Sequence, residues 1–81
     1  MKKIPRDLNA NELIELLQKR YNYEVSRQVG SHIRLTTTKN GQHHITIPSH
    51  NPIKLGTLSS ILTDIASQLN ITKQQLLDDL F

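Results

Sequence analysis

The hydrophobic period changes twice along this chain, and that change limits the possible folds more tightly than any composition value. Leu13, Ile14, Leu16, Leu17 and Tyr21 recur at helical spacing, while Glu12, Glu15, Lys19 and Arg20 occupy the other side. Between Tyr23 and Pro48 the period falls to two, with Tyr23 and Val25, Ile33 and Leu35, and Ile45 and Ile47 as the apolar positions of three short strands. Leu58, Ile61, Leu62, Ile65 and Leu69 restore a helical stripe, and Leu76, Leu77 and Leu80 add a shorter one. The order helix, three strands, helix, short helix predicts an α+β fold, a three-stranded antiparallel sheet with helices on one face. A chain of 81 residues, 36% hydrophobic, has room for one domain, 1–81, with a stability of roughly 4–12 kcal/mol.

Local signals mark the ends of these elements. Asn9 and Glu12 have capping-box spacing, and Asn22 interrupts the first helix after Arg20. Thr72 and Gln75 repeat that spacing, with Ile71 and Leu76 placed as a hydrophobic staple, and Asn70 ends the helix before it. Residues directly opposite in an antiparallel sheet share a face. Apolar parity therefore pairs Val25 with Ile33 and Tyr23 with Leu35, leaving Gln28-Val29-Gly30 as a three-residue loop. It also pairs Leu35 with Ile45 and Ile33 with Ile47, leaving Lys39-Asn40-Gly41 as the second. Both loops then end in glycine, which suits a left-handed last position. On the polar face this register sets Glu24 beside Arg34 and Thr46, Ser26 beside His32 and Pro48, and Thr36 beside His44.

Charge and composition narrow the function classes. Up to Gly56 there are nine Lys or Arg against four Asp or Glu; beyond it Lys73 faces Asp64, Asp78 and Asp79, for the overall +3. A basic body of this kind suits a polyanion or an acidic protein partner. The absence of cysteine excludes a disulfide framework, a zinc–thiolate site and a Cys nucleophile. No apolar run reaches the ~18 residues of a membrane span, and the basic start leads into no secretory apolar region. The expectation is a cytoplasmic protein without membrane attachment. A chain this small cannot enclose a deep pocket, so any chemistry takes place on an open surface.

Four blocks in order carry a resemblance. They are Leu13 to Leu17, then Ser26-Arg27-Gln28-Val29-Gly30-Ser31-His32, then Thr46-Ile47-Pro48-Ser49-His50, then Ile53-Lys54-Leu55-Gly56-Thr57-Leu58-Ser59-Ser60-Ile61-Leu62. Together they resemble the HicA (YcfA-like) family of toxin ribonucleases, over roughly Pro5 to Leu80. The resemblance implies a fold like a double-stranded-RNA-binding domain (dsRBD-like). It also implies a metal-independent mRNA endoribonuclease on the open sheet face, and a HicB-like antitoxin that covers the toxin in a heteromeric complex. The family's functional histidine maps onto His32. Three features depart from the family pattern: Ile33 stands where a second histidine is common, Val29 where Lys or Arg is usual, and Ser59 and Thr63 where the helix is often basic.

The chemistry can be weighed on its own terms. Cleaving RNA without a metal or other cofactor means attack by the adjacent 2′-hydroxyl on its phosphate. One group must take the hydroxyl proton, another must protonate the leaving 5′-oxygen, and a cation should stabilise the crowded phosphorane. Imidazole, which ordinarily titrates near ~6.5, suits either proton transfer. His32 is the candidate base or acid, His50 the second proton-transfer group, and Arg34 the candidate phosphate partner, unless Glu24 holds it. Arg27, Gln28, Gly30, Ser31, Lys54, Gly56 and Thr57 complete the candidate RNA contacts, with Gly56 admitting close approach at a helix N-terminus.

Each assignment has a plainer counterpart. His50 equally suits a loop histidine that caps backbone between Pro48 and Pro52, Ser31 suits the turn, and Lys54 suits a solvated helix start. His43 and His44 are adjacent on a strand and point to opposite faces, which argues against joint metal ligation. Two other function classes stay open beside the nuclease: a non-catalytic RNA-binding module and an inactive partner-binding scaffold. Only Tyr21, Tyr23 and Phe81 are aromatic, too few for base-stacking platforms.

Overall fold

Strand β2 (His32–Thr37) is the centre of the sheet, with β1 (Glu24–Val29) on one side and β3 (His43–Pro48) on the other, both antiparallel. Helix α1 (Ala10–Tyr21) precedes the sheet; α2 (Leu55–Leu69) and α3 (Lys73–Leu80) follow it. The computed structural model describes residues 3–38 and 41–81. The α+β arrangement is the one the periodicity predicts.

Helix ends follow the local chemistry. The Glu12 side chain accepts from the Asn9 N–H, and Asn22 and Asn70 adopt the left-handed conformation that stops α1 and α2. At α3, Thr72 Oγ1 accepts from the Gln75 N–H at 3.0 Å while Gln75 Oε1 accepts from the Thr72 N–H at 2.8 Å. Leu13, Leu17, Leu58, Leu62, Ile65 and Leu76 are fully enclosed with Leu35 and Ile47 of the sheet. Thr37, the one buried Ser, Thr, amide or charged side chain among the described residues, donates to the Tyr21 carbonyl at 2.9 Å, so its burial leaves no hydroxyl unsatisfied.

The β2–β3 register is the expected one, Leu35 opposite Ile45 and Ile33 opposite Ile47. The predicted Lys39-Asn40-Gly41 loop falls largely outside the described residues, although Gly41 has a positive φ of 93°. The β1–β2 register is not the expected one. Val25 faces Leu35 rather than Ile33, Gln28 faces Ile33 and Val29 faces His32. The connection is therefore a two-residue Gly30-Ser31 turn with Gly30 at φ 58°, and the ladder shifts by one residue between Val25 and Arg27. Glu24 consequently faces Thr36, not Arg34, and Ser26 is not in the His32 row.

The reason is burial. Every residue of β1 is exposed, Val25 at 48% and Val29 at 58%. Apolar parity selects a register only where one face enters a core. Here the ribbon runs past the helical layer, so the turn geometry and the bulge set the pairing instead.

A second link ties the sheet to the helices. Tyr23, only 1% exposed, shares a hydrogen bond of 2.8 Å with His43 Nδ1, and His43 Nε2 lies 3.3 Å from Asp64 Oδ1 on α2. Tyr21 donates to Asp79 of α3 at 2.5 Å. Burial, helped by the Asp64 charge, pushes the Tyr23 phenol up to about 12, and burial with the Asp79 contact raises Tyr21 as well.

Two outcomes are expected. Leu35→Ala removes a fully enclosed side chain and costs about 2–5 kcal/mol, a large share of the total, whereas Val25→Ala costs less than about 1 kcal/mol. Urea unfolding measures both, and equal losses would refute this register. The folded state keeps its tyrosine protons after the unfolded chain releases them near ~10, so stability should fall as pH rises from ~10 through about 12. Melting curves across that window should be flatter for Tyr23→Phe.

Candidate nucleic-acid interface

The open sheet face is built from three rows. Val29, His32 and Pro48 form the first; Arg27, Arg34 and Thr46 the second; Glu24, Thr36 and His44 the third. Alternation along β2 sends Ile33, Leu35 and Thr37 into the core and leaves His32, Arg34 and Thr36 on the outside. On β1 the bulge at Ser26 resets that alternation. Val25 shares the helix-side face with Leu35, and one residue too many then brings Arg27 opposite Arg34 on the open face.

Two arginines directly opposite each other in a ladder are an unfavourable pairing. Like charges in cross-strand pairs destabilise a sheet, by about 0.7 kcal/mol at roughly 6 Å in water. Among the described residues neither arginine forms an ion pair; Arg20 pairs with Asp79 at 3.9 Å, and the His43 ring lies 3.3 Å from Asp64. Glu24, expected to be a partner for Arg34, is one row away beside Thr36. An anion placed between Arg27 and Arg34 converts this repulsion into a two-pronged attraction.

Beside the pair lies a shallow depression of about 190 Å³ lined by Arg27, Val29, His32, Arg34 and Thr46. His32 is exposed there. The Ser49 N–H donates to the Ser31 carbonyl at 2.6 Å, which holds the segment after β3 against the Gly30-Ser31 turn. His50 follows directly, exposed at the same end of the sheet, although it does not line the depression, and its own N–H donates to the Pro48 carbonyl. Gln28 lies on the other face of the ribbon, and its Nε2 donates to the Gly30 carbonyl at 3.3 Å.

Lys54, Gly56 and Thr57 are at the N-terminus of α2 and do not line this depression. The depression thus brings Arg27, His32 and Arg34 together, with Gly30, Ser31 and His50 beside it and Lys54, Gly56 and Thr57 outside its lining.

Sequence reasoning passed over a larger depression on the same face, about 610 Å³, whose lining includes Asn22, Ser26, Arg34, Thr36, Gln42 and His44. In it Ser26 Oγ donates to the Arg34 carbonyl at 3.3 Å, Thr36 Oγ1 donates to Ser26 Oγ at 2.9 Å, and His44 Nδ1 lies 2.7 Å from Thr36 Oγ1. The strand parity that placed Thr36 beside His44 was the available signal. Among the described residues no three His, Asp or Glu side chains converge as a metal site, and no helix is long and apolar enough to cross a membrane.

The fold and this face define a small α+β protein that presents cations and an imidazole on a bare sheet. The family model described as HicA toxin of bacterial toxin-antitoxin matches residues 10–66, which takes in α1, the whole sheet and most of α2, and the chain belongs to that family. It is accordingly a toxin-family protein whose partner is an antitoxin. No curated protein and no solved structure gives a significant match.

Arg27→Gln should relieve the cross-strand repulsion. The expected result is a gain of about 0.5 kcal/mol at low salt that fades as salt screens the pair, read by urea unfolding at two ionic strengths. A loss of stability at low salt would show that the two guanidiniums do not repel.

Proposed function

We propose that the chain, as one toxin domain over 1–81, is an mRNA endoribonuclease that works in the cytoplasm without a metal ion. The observation that carries this reading is the exposed His32 imidazole beside an unpaired arginine couple on the uncovered sheet face. A phosphate between Arg27 and Arg34 would present its flanking 2′-hydroxyl to His32. The 2′-oxygen then forms a bond to phosphorus as the bond to the 5′-oxygen breaks, giving a 2′,3′-cyclic phosphate and a 5′-hydroxyl. His32 transfers one of the two protons, and His50, held at the same end of the sheet, is the candidate for the other. The arginines stabilise charge as it builds on the equatorial oxygens. Gln28, Gly30, Ser31, Lys54, Gly56 and Thr57 extend the RNA contact beyond the scissile phosphate, the last three by way of the α2 N-terminus.

A HicB-like antitoxin would silence such a site by covering it. An acidic segment laid over Arg27 and Arg34 imitates the phosphate it displaces. A second reading, an antitoxin-binding scaffold without cleavage, draws on Val29, which puts an exposed isopropyl group in the His32 depression where the family usually has a cation.

The test is cleavage of RNA by the wild type and by His32→Ala. The substitution should lower the rate by about 100- to 10,000-fold and leave melting unchanged. EDTA should leave the wild-type rate within about twofold. A fully active His32→Ala protein would remove this histidine from the mechanism, and a wild type that binds RNA without cutting it would favour the scaffold.

A further inference from the structure

The larger depression on the open face holds a hydrogen-bond chain that ends on one histidine and biases its tautomer. Ser26 has a single hydroxyl proton, and the Arg34 carbonyl can only accept, so that proton is committed. Ser26 must then accept from Thr36, which commits the Thr36 proton in turn. In this arrangement Thr36 accepts from His44 Nδ1, 2.7 Å away, so the chain favours the tautomer whose proton is on Nδ1. In the neutral ring Nε2 is left with a bare lone pair, on an exposed side chain in the depression.

We infer that this depression is a nucleotide subsite of the RNA cleaved at His32, in which His44 Nε2 accepts a hydrogen bond from an N–H or O–H of the bound nucleotide. The inference rests on the nuclease reading above and extends it from one phosphate to a neighbouring residue of the strand.

Three observations support it. Arg27 and Arg34 line both depressions, so the two are continuous through the arginine pair. The volume of about 610 Å³ falls within the range typical of small-ligand sites. Finally, His32 and His44 lie two rows apart with Arg34 in the row between. Four residues along a strand separate them by about 13 Å. That is too far for both imidazoles to serve one phosphate, and it suits a strand that lays a phosphate on the arginines and the adjoining nucleotide against His44. Asn22 and Gln42, on the rim, add amide groups able to donate and accept toward a base edge.

The acceptor's partner can be a base N–H or the ribose 2′-hydroxyl, and the experiment separates them. Binding of a short RNA oligonucleotide to the His32→Ala protein is measured by fluorescence anisotropy, so that cleavage plays no part. His44→Ala should weaken it about tenfold, the effect of one good hydrogen bond. Thr36→Val, which frees the tautomer but keeps His44, should weaken it by a smaller factor. Single 2′-deoxy and single abasic substitutions are then scanned along the oligonucleotide. One of them, at one position, should weaken binding to the His32→Ala protein about tenfold and have no further effect once His44 is alanine. A 2′-deoxy effect assigns the ribose and an abasic effect assigns the base. If Arg34→Ala weakens binding while His44→Ala and Thr36→Val do not, the subsite is refuted and the phosphate site stands. If no RNA binds at all, the nuclease reading fails together with this one.

Discussion

Everything on the open face depends on the two-sidedness of β2. Its odd-numbered residues, Ile33, Leu35 and Thr37, are held in the core, and the even-numbered His32, Arg34 and Thr36 have no choice but to face outward. The energy that enforces this is apolar burial: a one-residue slip would put Leu35 in water and Arg34 beneath the helices, at a cost of several kcal/mol. β3 pairs with β2 in a register locked by the same burial, so His44, Thr46 and Pro48 are carried to the open face with equal certainty. The chemistry of the site is in this sense the reverse side of the hydrophobic core.

The β1 strand obeys a different rule. It gains little from burial, since all six residues are exposed, and it is held by its ladder to β2 and by the Gly30-Ser31 turn. That freedom lets a bulge re-aim its side chains. The result, Arg27 opposite Arg34, runs against the electrostatics of a stable sheet and makes sense as a place prepared for an anion. In the function proposed for this face, a phosphate or an acidic antitoxin segment would offset the few tenths of a kcal/mol that the pair costs the free protein.

A second polar network works on the other face and has no such role. Tyr23, His43 and Asp64 form a line resembling a proton relay, yet Tyr23 is sealed in the core and meets no substrate. It ties β3 to α2 and satisfies a buried phenol. His43 and His44 are neighbours in sequence with opposite duties, one locking the sheet to its helices and the other offered to solvent.

How much of this was legible depended on burial, element by element. The three helices, their asparagine and threonine ends and the β2–β3 register follow from apolar spacing and capping chemistry, because those residues enter the core and the core tolerates one arrangement. His32 and Arg34 on the open face follow from the same parity. The sequence by itself thus determined the layers, the central hairpin and the outward imidazole. The tertiary structure alone decided the β1 register, the arginine pair and the hydrogen-bond chain that runs from the Arg34 carbonyl through Ser26 and Thr36 to His44. Those features lie on an exposed ribbon or in side-chain hydrogen bonds, where no hydrophobic period exists to record them and only the relative placement of distant segments carries the information.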